Sequence, residues 1–336
     1  MKKKTLIYGG GAIGSYLGAC LLRSNHQIYF LTRKKNYEYI KNKGLSVKVF
    51  NNNNLVQKFF LKNNKNFIVI NNLKKINKIY FDNIFITTKI NENLNKIFLD
   101  IEEFINEKTI IITPCTSIPF WWHKCLKKSI QKKINDSLSP LFKKNIKRKN
   151  LVGMTMWLSG KIEKPGFVKI AHIQRGFPIK EAFPEKKEKV NQLRKDLKKN
   201  TKSPLVSNIF SEVFIKSINS LAFNMIALKY EQNNFELNKN YIAKKEIIKI
   251  LKEGDKILKN NNIKIYQSPK SRVIQTLKSN KHTMSMLHAY ETKKEIELKF
   301  LWQSFVNLKK FLKFDMSNTE IIYKHLKKKL WDYLKY

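Results

Sequence analysis

Three glycines near the start of the chain have the spacing of a phosphate-binding turn. Gly9, Gly11 and Gly14 follow a Gly-x-Gly-x-x-Gly pattern. Gly9 would allow a tight turn, Gly11 would let backbone N–H groups approach a pyrophosphate, and Gly14 would let the next helix lie close to the preceding strand. The N-terminus of that helix would add partial positive charge. This chemistry is that of a dinucleotide site.

The residues around the glycines decide between a dinucleotide site and an ordinary turn. An apolar, β-prone run at 4–8 precedes them, a helix-compatible run at 12–22 follows, and residues 27–31 predict a second strand. The resulting βαβ unit of about 30 residues is the setting that a dinucleotide fingerprint requires. We therefore interpret the glycines as a nucleotide-binding turn.

The end of the second strand indicates which dinucleotide the turn would bind. NAD sites place Asp or Glu there to accept the ribose 2′-OH, whereas NADP sites place Arg there for the 2′-phosphate. The strand runs into Arg33, and no carboxylate follows before Glu38. Arg33 therefore favours NADP(H), and a solvated basic turn is the alternative.

A lysine in the C-terminal half is a candidate proton donor. Residues 209–229 predict an apolar helix in which Lys216, Ser220 and Asn224 recur every four residues and so share one face. Burial lowers the pKa of a lysine and makes its ammonium a usable donor near neutral pH. The alternative is that Lys216 extends along the helix surface to water.

The formal net charge of +42 raises the question of a nucleic-acid partner. Of the 67 basic residues only six are arginine, the residue that nucleic-acid recognition favours. The lysines are spread along the whole chain together with abundant Asn and Ile, which is typical of an AT-rich coding bias. We therefore expect nucleic acid to be an unlikely partner, although such a field would attract anionic substrates and phosphorylated cofactors.

Composition also predicts the class of protein. No stretch approaches the roughly 18 apolar residues of a membrane span, and residues 1–4 lead directly into the first strand without a signal-peptide core. Cys20, Cys115 and Cys125 lack the clustering of a metal site and suit reduced thiols. We expect a soluble, cytoplasmic protein with no membrane partner and no metal.

The order of predicted elements defines two domains, for which 336 residues are sufficient. Alternating strands and helices predict a Rossmann-type doubly wound α/β sheet, with an antiparallel hairpin at 151–179 that turns at Pro165 and Gly166. After a polar segment at 199–204 nearly everything is helical, with helices predicted at 241–260, 268–278, 284–312 and 318–333. We predict an NADP-binding domain at 1–200 and an all-α substrate domain at 201–336.

Together these features resemble the ketopantoate reductase family, the NADPH-dependent 2-dehydropantoate 2-reductases. The glycine turn matches the opening fingerprint of that family, Thr88 and Lys89 match its strand-end lysine, and Lys164-Pro165-Gly166 resembles the turn of its central hairpin. Phe214-Ile215-Lys216, with Asn224 eight residues further on, resembles its catalytic helix.

The resemblance continues beyond that helix. Residues 233–237 resemble the family's Asn-Gly-Glu-Leu stretch, and Asn280-x-x-Thr283-Met284 followed by Glu295 matches its Asn-x-x-Ser-Met and Glu-Ile-Asp motifs. A second register, Ser285-Met286-Leu287 with Glu297, keeps the same spacing. We prefer the first register because it also places Asn280.

The resemblance implies reduction of ketopantoate to pantoate, which is a step of pantothenate and coenzyme A biosynthesis. It implies that the active site lies in a cleft between the domains, and it allows a homodimer. Lys216 would protonate the alkoxide that hydride transfer to C2 leaves, and Glu295 would orient Lys216, the cofactor ribose or the substrate hydroxyl. Substrate contacts are implied for Ser220, Asn224, Asn234, Asn280 and Thr283. Cofactor contacts to NADPH are implied for Gly9, Gly11, Ala12, Ile13, Gly14, Arg33, Lys89 and Thr116.

Two departures from the family pattern keep other functions open. Thr116-Ser117 stands where the family has Asn-Gly, and Ser220 stands where it has a second asparagine on the catalytic helix. Hydroxyl groups form some of the same hydrogen bonds with shorter reach. The alternatives are a related NADPH-dependent reductase of another 2-oxo acid, and a non-catalytic, nucleotide-sensing protein that binds nucleic acid.

Overall fold

The computed structural model describes residues 2–51, 54–77, 79–88, 94–113, 116–137, 148–278 and 282–331. The chain divides into two compact units: unit 1 comprises Met1–Cys115 and Leu138–Ile209, and unit 2 comprises Thr116–Ser137 and Phe210–Tyr336. A parallel-sheet α/β unit with a helical C-terminal unit confirms the predicted fold class. The predicted boundary at residue 200 stays a prediction, and the sequence did not predict that residues 116–137 group with the helices.

Unit 1 contains all the strands of the described chain. They are β1 (Lys4–Tyr8), β2 (Gln27–Leu31), β3 (Leu45–Asn51), β4 (Asn54–Leu61), β5 (Phe67–Ile70), β6 (Asn83–Ile86), β7 (Ile110–Ile112), β8 (Leu151–Met154), β9 (Trp157–Lys164), β10 (Phe167–Gly176) and β11 (Ile179–Glu181). Seven of them form sheet A in the order β11-β8-β7-β6-β1-β2-β5. All its pairings are parallel except that of β11 with β8.

The order of sheet A explains where a ligand can bind. β1 lies between β2 and β6, so the direction of strand succession reverses at β1. In open α/β sheets, ligands bind beyond the carboxyl ends of the strands at such a switch point. Gly9 follows the last residue of β1, which places the glycine turn at that position.

The described residues of the two units also form α-helices. They are α1 (Ala12–Arg23), α2 (Lys34–Lys43), α3 (Leu94–Ile101), α4 (Lys128–Ser137), α5 (Lys187–Lys198), α6 (Ile209–Tyr230), α7 (Asn234–Lys239), α8 (Tyr241–Asn260), α9 (Pro269–Leu277), α10 (Ser285–Glu291), α11 (Leu298–Lys309) and α12 (Ser317–Lys329). The structure thus places α8 at the residues predicted for it. None of these helices is sufficiently long and apolar to span a lipid bilayer.

A second sheet, sheet B, has the strand order β4-β3-β10-β9. β10 pairs with β3 in parallel, and the two outer pairings are antiparallel. One face of sheet B, including Val47, Val49 and Ile170, packs into the same core as α1 and sheet A. Helix α1 therefore lies against both sheets.

The predicted hairpin at 151–179 is partly wrong. β9 and β10 form the hairpin, with Gly166 in the turn at φ +74°. β8, however, belongs to sheet A and runs parallel to β7. The reason is burial, because all four residues of β8 are covered on both faces, as expected of a strand inside a parallel sheet.

The predicted single helix over 284–312 is also wrong, because it is divided into α10 and α11. Lys293 adopts φ +52°, a left-handed conformation in which a helix cannot continue. The N–H of Lys294 donates to the carbonyl of Ala289 at 2.8 Å, and that of Lys293 donates to Tyr290 at 3.0 Å. These two bonds form a Schellman motif, which sequence periodicity does not reveal when the left-handed residue is not glycine.

Candidate active site

The glycine turn joins β1 to α1 through a backbone that few residues could adopt. Gly9 has φ +121°, a conformation favoured by glycine, and its N–H donates to the carbonyl of Leu31 at 3.2 Å. A Cβ at residue 9 would lie 2.9 Å from the backbone nitrogen of Thr88. The hydroxyl of Thr87 donates to the carbonyl of Gly9 at 2.7 Å. The end of β6 thus holds the turn from the other side.

Two further glycines bring the elements close together. A Cβ at Gly14 would overlap the carbonyl oxygen of Gly9 and lie 2.9 Å from Cγ2 of Ile7. A Cβ at Gly10 would overlap the side chain of Thr32 at the end of β2. Sequence reasoning missed the role of Gly10, which occupies a variable position of the pattern. The sequence signal that could have indicated this role is that Gly10 is the middle of three consecutive glycines.

Gly11 differs from its neighbours because space surrounds it. No atom would lie within 4 Å of a Cβ at this residue. Gly11 is the N-cap of α1 in extended conformation, and no side chain caps the helix. The first N–H groups of α1, from Ala12 and Ile13 onwards, have no acceptor within the helix. The arrangement fits an anion such as a pyrophosphate at this point.

A cavity of about 650 Å³ lies in unit 1 beside the ends of β1 and β2. Its lining includes Tyr8, Leu31, Asn72 and, from α3, Asp100. The Tyr8 hydroxyl donates to Oδ2 of Asp100 at 2.7 Å, and burial raises the pKa of Tyr8 above its usual value. Sequence reasoning did not identify this cavity, although strand ends were the available signal. Its volume lies in the range of small-molecule sites, roughly 300–1,000 Å³.

The remaining residues predicted to bind the cofactor are placed as follows. Arg33 is exposed, occupies the N-cap position of α2 without a side-chain cap hydrogen bond, and is not part of the cavity lining. Lys89 lies outside the described residues. Thr116 is half-buried and belongs to unit 2, whereas the three glycines of the turn belong to unit 1.

Helix α6 carries the candidate proton donor. It has 22 residues, and all its positions are buried or half-buried. Lys216 keeps part of its surface exposed, yet burial of its ammonium lowers its pKa to about 8. Glu212, one turn earlier, acts in the opposite direction and raises that pKa. At neutral pH the lysine is therefore still mostly protonated and is a stronger acid than an exposed lysine.

Asn224 lies two turns after Lys216 and connects α6 to the start of α10. Its Nδ2 donates to the carbonyl of Ser220 at 2.8 Å and lies 3.4 Å from the Ser220 hydroxyl. Its Oδ1 accepts from the N–H of Met286 at 3.0 Å and from the hydroxyl of Ser285 at 3.4 Å. The amide therefore places Ser285, a residue of the second register, beside Asn224.

Asn234 has a similar connecting role at the start of α7. It is fully buried, and its Nδ2 donates to the carbonyl of Thr276 at 3.0 Å. Its N–H donates to the carbonyl of His282 at 3.0 Å. Asn234 thus binds to both sides of residues 279–281, which with Asn280 lie outside the described residues.

The two candidate glutamates have different surroundings. Glu295 is exposed in the segment between α10 and α11, whereas Glu297 is half-buried and occupies the N-cap position of α11. Thr283 is half-buried and precedes α10 by two residues. The structure therefore brings Ser220 and Ser285 to Asn224, two helical turns after Lys216 on the same helix face. The roles of Thr283 and Glu295, which belong to the first register, stay predictions. No group of three or more potential metal ligands forms among the described residues.

Comparison with protein-family models gives two matches. Residues 5–114 match the model described as "Ketopantoate reductase PanE/ApbA", and residues 208–330 match "Ketopantoate reductase PanE/ApbA C terminal". Together they cover more than half of the chain. No curated protein sequence matches significantly.

Solved structures of the same fold cover nearly the whole chain. The 2-dehydropantoate 2-reductase from Methylococcus capsulatus has a TM-score of 0.75 at 17% identity, covering 98% of this chain and 97% of its own. That from Geobacter metallireducens GS-15 has 0.76 at 18%, covering 97% and 99%. A D-mandelate dehydrogenase bound to NADH and anilino(oxo)acetate has 0.75 at 18%, covering 98% and 99%. At these identities the likeness shows the fold.

Two glycine substitutions separate ligand binding from folding. We expect Gly11→Ala to leave the melting temperature within about 2 °C of the wild type, because its Cβ enters open space. It should weaken NADPH binding at least tenfold if the phosphates of the cofactor occupy that space, as the glycine pattern predicts. Gly14→Ala should lower the melting temperature by several degrees, because its Cβ overlaps Gly9. Thermal unfolding and fluorescence titration measure both quantities, and equal destabilisation by the two substitutions would contradict the assignment.

Proposed function

The chain belongs to the ketopantoate reductase family, and on this premise we propose that it reduces 2-dehydropantoate to pantoate with NADPH. The observation that carries the proposal is Lys216, whose pKa is lowered to about 8 on a helix face shared with Ser220 and Asn224. The proposal includes a cytoplasmic location, a homodimer, and a step in pantothenate and coenzyme A biosynthesis.

Unit 1 is assigned to the cofactor. When bound, NADPH supplies the hydride that C2 of the keto acid accepts. The open space at Gly11 and the uncapped N-terminus of α1 would hold the pyrophosphate. The cavity bounded by Tyr8 and Asp100 has room for the adenosine end, and Arg33 would extend to the 2′-phosphate.

Unit 2 is assigned to the keto acid and its proton. Reduction at C2 converts the keto oxygen into an alkoxide, which needs a proton as charge develops. The Lys216 ammonium donates that proton and becomes a neutral amine, which water then reprotonates. Before the reaction its positive charge also attracts the substrate carboxylate. A lysine with a pKa near 8 is protonated at pH 7 and transfers its proton more readily than one near 10.5.

A second candidate is the reduction of a different 2-oxo acid. It is favoured by Ser220, whose hydroxyl lies 3.4 Å from Asn224 and so contributes to positioning that amide. It is also favoured by Thr116, which stands where the family has asparagine. A site that recognises its substrate through hydrogen bonds changes specificity strongly when those groups change. The similarity to a D-mandelate dehydrogenase bound to NADH indicates that the fold accommodates other substrates and NADH.

Substitution of the donor tests the assigned chemistry. We expect Lys216→Ala to lower kcat about 10²- to 10⁴-fold, because general acid catalysis is lost, and to leave the Kd for NADPH nearly unchanged. The assay uses a panel of 2-oxo acids with NADPH and NADH, which also identifies substrate and cofactor. Lys249→Ala, at an exposed lysine of unit 2, is the matched control. Wild-type turnover in Lys216→Ala would disprove the mechanism, and binding of NADPH without reduction of any acid would favour the non-catalytic alternative.

The pH dependence follows from the same lysine. Only the protonated amine can donate, so kcat/KM for reduction should be level below pH 8 and fall about tenfold per pH unit above it. Initial rates between pH 6 and 10 measure this profile. The residual activity of Lys216→Ala should not show this decrease of kcat/KM above pH 8. A profile that stays level through pH 10 in the wild type would contradict the role of Lys216.

Cofactor choice is tested at Arg33. Charge-assisted hydrogen bonds are worth about 1.5–3 kcal/mol, so Arg33→Ala should raise the KM for NADPH roughly 10- to 100-fold. The KM for NADH, which has no 2′-phosphate, should change less than threefold. Arg23→Ala, at the exposed end of α1, provides the control. Equal effects on both cofactors would exclude contact between Arg33 and the 2′-phosphate.

A further inference from the structure

Four lysines lie side by side across sheet B, one on each strand. The strand register pairs Lys58 with Lys48, Lys48 with Lys169, and Lys169 with Lys161. Neighbouring strands are about 4.8 Å apart, so the row crosses roughly 14 Å. Lys58 and Lys161 are exposed, and Lys48 and Lys169 are half-buried.

The row lies on the face of sheet B that points away from the core. Residues next to the lysines along the strands, including Val47, Val49 and Ile170, are buried in the core with α1. Successive side chains of a strand point to opposite faces, so the lysines face outward. We call this outward surface, defined by Lys48, Lys58, Lys161 and Lys169, the lysine face.

The lysine face is unfavourable for the folded protein by itself. Like charges placed directly opposite each other on neighbouring strands destabilise a sheet. Glu163 is the only acidic residue in the four strands, all of which are described, and it sits at a register shift outside the paired positions. Within the described part of the chain none of the four lysines forms an ion pair. An anionic ligand would remove the repulsion that the described residues leave uncompensated.

Aromatic rings accompany the lysines and indicate the class of anion. The Lys169 ammonium lies 4.4 Å from the ring centre of Phe50, and Lys164 lies 4.5 Å from that of Phe167. Phe60, two residues from Lys58 on the same face, is 62% exposed. Cations that contact phosphates, next to rings on which bases stack, are the means by which sheets bind single strands without sequence preference. In a duplex the base faces are covered by neighbouring bases, and a membrane surface offers none.

We propose that the lysine face of sheet B binds single-stranded nucleic acid through its phosphates and bases. The net charge by itself does not support this, because lysines are spread along the whole sequence. The support comes from the register, which aligns residues 48, 58, 161 and 169 although they are far apart in sequence. The proposal goes beyond the reductase activity and does not rest on it.

Binding of fluorescein-labelled oligo(U) and oligo(dT), measured by anisotropy at several salt concentrations, tests the proposal. The slope of log K against log salt is about −0.7 per phosphate contact for single strands, so K48Q/K58Q/K161Q/K169Q should reduce its magnitude by about 3. Affinity near 0.1 M salt should fall more than a hundredfold. The control K249Q/K252Q/K256Q/K270Q removes the same charge from exposed lysines of α8 and α9 and should change affinity less than threefold.

Further measurements keep the outcome decisive. Phe60→Leu should weaken binding about tenfold with an unchanged salt slope, because only stacking is lost. If the fourfold variant does not give the wild-type circular dichroism spectrum, K58Q/K161Q should reduce the slope by about 1.4. Equal weakening by the control variant would overturn the proposal, since binding would then follow total charge. Binding to phosphatidylglycerol vesicles without binding to oligonucleotides would also overturn it.

Discussion

The close contact between the end of β1 and the start of α1 is the constraint on which unit 1 depends. A side chain at residue 14 would overlap the carbonyl of Gly9 and push α1 away from Ile7. Because no side chain is there, α1 can bury Leu17 and Leu21 in one core shared by both sheets. The same approach leaves Gly11 at an uncapped helix end facing open space. The packing that stabilises the fold therefore also creates the place for a phosphate.

Unit 2 uses polar side chains of its helices in two ways. The amides of Asn224 and Asn234 bind backbone groups of distant segments, because buried polar groups require partners. These bonds position residues 282–286 relative to α6. Lys216 differs, because burial makes its charged form less favourable and so lowers its pKa. The asparagines hold backbone segments in place, whereas the lysine has the lowered pKa that the proposed proton transfer requires.

The same excess of lysine has different consequences in different places. On α8 the exposed lysines face water, where charges are solvated and weakly coupled. Across sheet B four of them are neighbours on one surface, where their repulsion is direct. Amino-acid composition does not distinguish these lysines from one another. Strand pairing shows which of them lie together on the lysine face of sheet B.

The sequence by itself determined the features that depend on neighbouring residues. Glycine spacing, strand and helix periodicity and apolar runs predicted the β1–α1 turn, the fold class and α8. Only the tertiary structure decided that β8 enters sheet A, that Lys293 ends α10, and that Asn224 bonds to Ser285 and Met286. The alignment of the lysines across sheet B was likewise decided only by the tertiary structure. The reason is physical, because periodicity and turn chemistry act between residues a few positions apart, whereas strand pairing and buried hydrogen bonds join residues that only the folded chain brings together.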